Sequence, residues 1–154
     1  ALRNFVLVLF STLLITACST AKKAKVDTVD DVYTGTETVE FLAKGVPDRV
    51  FFATNKSKLT TRSRDTLRKQ ATWLRKNKDL TVTLEGHADE RGTREYNLAL
   101  GERRANAAKD YLMTYGVSGK RITVISYGKE KPVNPASTPL AWSQNRRSVT
   151  VKTN

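Results

Sequence analysis

The sequence predicts an α/β fold of the α+β sandwich type, in which a mixed sheet carries its helices on one face. Short runs rich in β-branched and aromatic residues alternate with two stretches whose apolar residues recur at helical spacing. The order of these runs is β-α-β-α-β-β, and strands that alternate with helices favour parallel pairs joined by helical crossovers. The chain of 154 residues has room for one domain of ordinary size with a short extension.

The first predicted strand lies at residues 49–52, where Arg-Val-Phe-Phe forms a short β-rich run. The first helix begins at Thr60 or Thr61, either of which can cap it, and continues to about Asn77. The core face of this helix is given by apolar residues at i, i+4 and i+7, which are Leu67, Ala71 and Leu74. The next residues, 80–84, alternate apolar and polar side chains, which predicts a strand with one buried face.

A polar loop at residues 86–92 is expected to lead into the second helix. Thr93 caps that helix and Gly116 ends it, because glycine readily adopts the left-handed conformation that follows a helix. Residues 122–127 form the third predicted strand, and residues 149–152 form the last, which can pair antiparallel to a neighbour. The connection between these two strands is expected to be irregular because it contains Pro132, Pro135 and Pro139.

Composition excludes several classes of site. The single cysteine excludes an internal disulfide, and it excludes a cysteine-based zinc site because such a site needs at least two thiolates. The single histidine, His87, excludes a multi-histidine metal centre. We therefore expect no metal and no other cofactor. No run of 18 apolar residues occurs, so no transmembrane helix is predicted.

The N-terminal region is predicted to be a secretory signal. Residues 5–17 read FVLVLFSTLLITA. A helix of that length rises about 20 Å, whereas the apolar core of a membrane is about 30 Å thick. The length instead fits the apolar part of a signal peptide, whose basic start we expect to extend ahead of Ala1.

A single cysteine follows this apolar run. Residues 15–19 read ITACS and resemble a bacterial lipoprotein box, in which Cys18 becomes the lipidated N-terminus. We therefore expect a signal peptide at 1–17, a lipidated N-terminus with a flexible tether at 18–45, and a folded domain at 46–154. The alternative is an ordinary signal peptide in which Cys18 carries no lipid.

Three polar residues are predicted to converge near the second helix. Asp89 follows a strand, at the end of the sheet where ligands commonly bind in α/β folds. Asn97 and Arg104 are seven residues apart on the helix and differ by about 20° around its axis, with Leu100 between them. A carboxylate, an amide and a guanidinium in one place suit a zwitterion, because Asp89 can accept an ammonium group and Arg104 can grip a carboxylate.

Four segments carry a resemblance to a known family. The segments are EGHADERG at 85–92, YNLALGERRA at 96–105, SYGKEKP at 126–132 and NRR at 145–147. Through them the sequence is similar, over roughly residues 47–151, to the OmpA-like peptidoglycan-binding domain family, and especially to its lipid-anchored members.

The resemblance implies a site and partners. It implies that Asp89 and Arg104 hold the diaminopimelate of the peptidoglycan stem peptide, and that the Tol proteins, chiefly a periplasmic β-propeller protein, are partners. No enzymatic activity is implied, and no nucleic-acid partner is expected. The resemblance also implies pocket-lining side chains at Asn97 and Leu100, and backbone amides that meet ligand carboxylates at Ala53, Thr54 and Asn55.

Without the resemblance, the same residues are also consistent with purely structural roles. Asp89 can instead cap its loop or pair with Arg91, and Arg104 can be a structural cation. His87 is expected to hold the loop by a hydrogen bond. The rim also departs from the family, whose members usually read F-[DG]-F-D where residues 52–55 here read FATN, so an aromatic and an acid are absent.

A basic segment lies outside this site. Residues 56–78 contain nine Lys or Arg and one acid. This charge is typical of a solvated helix face, and the alternative is attraction to an anionic surface. Two other functions are alternatives to a binding module. One is an enzyme acting on peptidoglycan, which needs paired carboxylates or a metal, and the other is an anchor subunit of another envelope complex.

Overall fold

The protein forms a four-stranded mixed sheet with a small separate hairpin, as shown by a computed structural model that describes residues 31–154. The hairpin consists of β1 (Phe41–Ala43) and β2 (Val46–Pro47). The sheet consists of β3 (Arg49–Phe51), β4 (Val82–His87), β5 (Ile122–Gly128) and β6 (Arg147–Lys152). The helices are α1 (Thr61–Lys76), α2 (Arg94–Thr114), α3 (Pro139–Asn145) and a 3₁₀ turn at Gly119–Arg121.

The strand order in the sheet is β3-β6-β4-β5. The pair β4 and β5 is parallel and is joined by the crossover helix α2, whereas β6 lies antiparallel between β3 and β4. The predicted mixed sheet is therefore confirmed, with an antiparallel last strand, but only one of its strand pairs is parallel where parallel pairs were expected.

Helix α1 begins where its sequence predicts. The Thr60 side chain accepts a hydrogen bond from the Ser63 amide and so satisfies one of the free donors of the first turn. Its buried residues pack against the sheet in a cluster that also contains α2 residues. Each fully buried leucine there contributes about 1.5–3 kcal/mol. That cluster includes Phe52, Leu67, Leu74, Leu84, Ala108 and Leu112.

Helix α2 lies unusually close to the sheet. A Cβ atom on Gly86 of β4 would lie 1.7 Å from the carbonyl oxygen of Gly101 on α2, and one on Gly101 would lie 2.3 Å from Ser126 Oγ on β5. Two glycines therefore allow backbone to meet backbone at this crossing. The contact fixes the start of α2 relative to the end of β4, which is where the predicted site lies.

Two segments differ from expectation. The connection after β5 was predicted to be irregular, and this was wrong for α3: the Thr138 side chain caps it and Pro139 occupies a first-turn position, where a missing N–H costs nothing. Strand β4 also extends to His87, into the predicted loop.

The described part of the predicted tether lies against the domain. Tyr33 is buried and packs edge-on against Phe51 with the ring centroids 4.9 Å apart, and residues 41–47 form the hairpin. The aromatic contact removes apolar surface from water, which explains why residues 31–45 do not extend away. The signal peptide and Cys18 lie outside the described residues. Within residues 31–154, no helix combines the length and apolarity that crossing a membrane requires.

Candidate ligand-binding site

A small open cleft of about 310 Å³ lies where the loop after β4 meets the loop after β3. Residues of both loops and of the first turn of α2 form its walls. The lining residues are Thr54, Asn55, Asp89, Arg91, Gly92 and Tyr96.

Asp89 is buried in this cleft and is fully bonded. It accepts bonds from the Arg91 amide (3.1 Å), from Arg91 Nε (3.1 Å) and Nη2 (2.8 Å), and from Arg146 Nη1 (3.2 Å). Burial raises the pKa of Asp89, but the hydrogen bonds from Arg91 and Arg146 outweigh it, and the pKa lies below its usual value. The carboxylate is therefore ionised, and both of its oxygens have partners in the free protein.

Arg146 is a second cation in contact with Asp89. Its guanidinium is buried, and it donates through Nε to the Phe52 carbonyl at 2.9 Å and through Nη1 to Asp89. Its Nη2 lies 3.1 Å from a carboxylate oxygen of Asp31. Arg146 thus joins both loops of the cleft to the segment that precedes the domain.

Arg104 lies beneath the cleft and is fully buried. It donates to the backbone carbonyls of Lys56 (2.9 Å), His87 (2.8 Å) and Ala53 (3.0 Å). Burial, followed by the charge of Arg146, lowers the pKa of Arg104 to about 10, so it remains a cation at neutral pH. Arg104 therefore holds the rim in the free protein. Its bidentate contact with a ligand carboxylate stays a prediction.

Asn97 and Leu100 also lie inside rather than at the cleft surface. The Asn97 side-chain amide donates to the carbonyls of Arg91 (2.8 Å) and Thr93 (3.0 Å). It thereby ties the Asp89 loop to α2. Leu100 is buried behind this loop, and the contact of either side chain with a ligand stays a prediction.

The rim at Ala53, Thr54 and Asn55 has a tight backbone. Asn55 has a φ of 57°, and the Lys56 amide donates to the Ala53 carbonyl at 3.1 Å. Asparagine tolerates this left-handed conformation better than most residues. Thr54 and Asn55 line the cleft, whereas Ala53 contributes its carbonyl to Arg104. The Thr54 amide donates at 2.9 Å to Asp31, which shows that this amide can bind a carboxylate.

The expected role of His87 is wrong. Neither ring nitrogen has a hydrogen-bond partner among the described residues, and the ring stacks on Tyr127 with centroids 5.5 Å apart. Burial, then the charges of Arg147 and Arg49, lowers the pKa of His87 to about 3. His87 is therefore a buried, neutral imidazole that packs against Tyr127 at the end of β4.

Sequence reasoning missed part of the site. The pair of Asp89 and Arg91 is one of the alternatives that the sequence leaves open for Asp89, whereas the segment NRR at 145–147 does not by itself place Arg146 beside Asp89. Arg91 also lies 4.2 Å above the Trp142 ring, whose indole donates to Glu90 at 2.8 Å. The sequence feature that could have indicated a second buried cation is the pair Arg146-Arg147 at the start of the last strand.

The fold and the cleft define a class of protein. A model of the OmpA family matches residues 51–146, and the chain belongs to that family. This stretch runs from the last residue of β3 through β4 and β5 and includes both loops of the cleft.

The similar proteins are lipoproteins of that family. The peptidoglycan-associated lipoprotein of Rhizobium meliloti is 57% identical over 106 residues, which are 69% of this chain and 60% of that one. That of Agrobacterium fabrum is 54% identical over 106 residues, with 69% and 60% covered. The chain thus spans about 60% of the length of these curated relatives.

Solved structures agree with the fold. The crystal structure of the peptidoglycan-associated lipoprotein from Burkholderia pseudomallei matches with a TM-score of 0.67 and 35% identity, covering 69% of this chain and 90% of that one. The C-terminal domain of Helicobacter pylori MotB matches with a TM-score of 0.65 at 19% identity, covering 70% and 84%, which shows the fold alone.

Proposed function

We propose that the chain is an outer-membrane lipoprotein that binds the diaminopimelate of the peptidoglycan stem peptide without turnover. The observation that supports this most directly is the cleft itself. One ionised carboxylate, Asp89, lies beside two cations, Arg91 and Arg146, and a backbone amide that already holds a carboxylate. Diaminopimelate ends in an ammonium and a carboxylate on one carbon, so it needs both kinds of partner.

Ligand binding requires an exchange at Asp89. Because its two oxygens already accept four hydrogen bonds, an incoming ammonium must replace a present donor. Arg91 is the donor that leaves, since 42% of its side chain is exposed while that of Arg146 is buried. The departing Arg91 side chain can then meet the ligand carboxylate, and Arg146 keeps Asp89 in place.

The rest of the proposal concerns the envelope. Lipid on Cys18, including palmitate, would hold the chain in the outer membrane facing the periplasm, since stable anchoring takes more than one acyl chain. The domain would then tether the membrane to the cell wall. The Tol proteins, chiefly the periplasmic β-propeller protein, would be partners, and reversible contacts in many copies would support envelope integrity and cell division.

Co-sedimentation with purified diaminopimelate-type peptidoglycan tests this function. The full chain should pellet, and folded Asp89→Asn should stay in the supernatant. Asp110→Asn, which removes the same charge from an exposed position on α2, is the matched control and should pellet like wild type. If all three proteins pellet and salt releases them equally, the basic residues 56–78 bind instead.

A second candidate is an anchor subunit of another envelope complex. The fold likeness to a MotB domain makes this worth testing. Metabolic labelling with a fatty-acid probe separates the two, because the lipoprotein incorporates label at Cys18 and Cys18→Ala does not.

A further inference from the structure

The carboxylate of Asp31 contacts the rim of the candidate cleft at Thr54 although Asp31 precedes the domain. Its Oδ1 accepts from the Thr54 amide at 2.9 Å, and its Oδ2 accepts from the Thr54 hydroxyl and lies 3.1 Å from Arg146 Nη2. The Asp31 backbone carbonyl also accepts from Arg146. Asp31 therefore accepts a hydrogen bond from the Thr54 amide and at the same time pairs with the buried guanidinium of Arg146.

The charge of the cleft explains why it accepts a carboxylate. Arg91, Arg146 and the underlying Arg104 supply three positive charges, against two negative charges, on Asp89 and on Glu90 beside Arg91. Without Asp31 the cleft keeps a net positive charge and leaves Arg146 Nη2 facing it. Burial raises the pKa of Asp31, but the hydrogen bonds from Thr54 and the charge of Arg146 lower it by more than burial raises it. The pKa therefore lies below its usual value, and Asp31 is ionised.

The contact belongs to an ordered segment. Residues 31–36, which we call the strap, continue from Asp31 to Tyr33, whose ring is buried against Phe51. The aromatic anchor restricts how far Asp31 can move and so raises its local concentration at the cleft. Asp31 itself is half exposed, so it can leave without disrupting the core.

We propose that Asp31 is an intramolecular competitor that occupies the carboxylate subsite of the cleft, formed by the Thr54 amide and Arg146, until a ligand carboxylate displaces it. This inference rests on the proposed function, because it names the event that precedes binding at the same cleft. The strap and the stem-peptide carboxylate cannot occupy Thr54 and Arg146 together. The apparent Kd for the ligand is therefore the intrinsic Kd divided by the fraction of molecules in which the strap is undocked.

Binding of a muropeptide that contains meso-diaminopimelate tests the competition. The full chain is titrated as wild type, as Asp31→Asn and as Asp110→Asn, with the Trp142 fluorescence beside the cleft as the readout. Asp31→Asn weakens docking of the strap and should bind about five- to ten-fold more tightly, which corresponds to a strap docked in about 80–90% of molecules. Asp110→Asn should bind like wild type.

Hydrogen exchange gives a second readout that does not depend on affinity. Saturating muropeptide should raise exchange at the amides of Glu37 and Val39 in wild type, which donate to the Tyr33 hydroxyl and the Thr36 carbonyl, because the ligand releases the strap. Unchanged protection there, with ligand bound, would overturn the proposal.

The outcomes separate the two proposals. Equal affinity of wild type and Asp31→Asn overturns the competition and leaves the proposed function standing. Weaker binding by Asp31→Asn also overturns it, and it shows that Asp31 supplies the acid that the rim lacks relative to the family. Binding by neither protein overturns the proposed function and the competition with it.

Discussion

Replacing Arg104 by lysine should destabilise the fold although the charge is kept. The guanidinium donates to three carbonyls at 2.8–3.0 Å, and those of Lys56 and Ala53 belong to the rim. A lysine ammonium is a compact charge that reaches one of these carbonyls at a time. A hydrogen bond to a charged group contributes about 1.5–3 kcal/mol, so losing two predicts a decrease of about 3 kcal/mol or more in the free energy of unfolding.

Urea unfolding of the full chain measures this change, with Arg103→Lys as the matched control. Arg103 is the exposed neighbour on the same helix, 6.0 Å above the Tyr96 ring, so its replacement should change stability by less than about 0.5 kcal/mol. Under conditions in which Arg104→Lys is still folded, it should also bind the muropeptide more weakly because the rim is released. Equal stability of the two variants would refute the assignment of Arg104 as the residue that holds the rim.

Three further predictions follow from other contacts. Because the pKa of His87 is about 3 in the fold and 6.5 in the unfolded chain, the unfolded state binds more protons between these values. The free energy of unfolding should therefore fall by about 1.7 kcal/mol from pH 6.5 to pH 5, and His87→Gln should lose this slope in urea titrations at several pH values. Gly86→Ala places a Cβ against the Gly101 carbonyl and should cost about 3 kcal/mol, seen as a lower urea midpoint; a midpoint like that of wild type would show that α2 can move away. Cys18→Ala should remove the chain from the outer-membrane fraction, and unchanged fractionation would contradict the lipoprotein assignment.

Local signals in the sequence predicted most of the fold. The caps at Thr60 and Thr93 and the alternation in β4 depend on neighbouring residues, so α1, α2 and the sheet could be anticipated. The prolines between β5 and β6 indicate an irregular connection because proline usually ends a helix, but Pro139 lies at the start of α3, where proline is favoured. The hairpin at residues 41–47 has no apolar alternation that would have indicated it.

The site was predicted less completely because its contacts join distant parts of the chain. Helical spacing placed Asn97 and Arg104 on one face, but it could not show that Arg104 donates to carbonyls 48 and 51 residues away. The contact between Arg146 and Asp31 joins residues 115 positions apart. Such partners are set by sheet topology and by the fold of the preceding segment, which residue spacing does not encode.

The central claim is that the cleft recognises the zwitterionic end of diaminopimelate. We would titrate the full chain with two muropeptides that differ only at the third stem residue, one with meso-diaminopimelate and one with lysine, which keeps the ammonium and lacks the second carboxylate. The account predicts at least about ten-fold tighter binding of the diaminopimelate form, which corresponds to about 1.4 kcal/mol. It also predicts that Asp89→Asn weakens binding of that form. Equal affinities for the two muropeptides, or full affinity in Asp89→Asn, would contradict it.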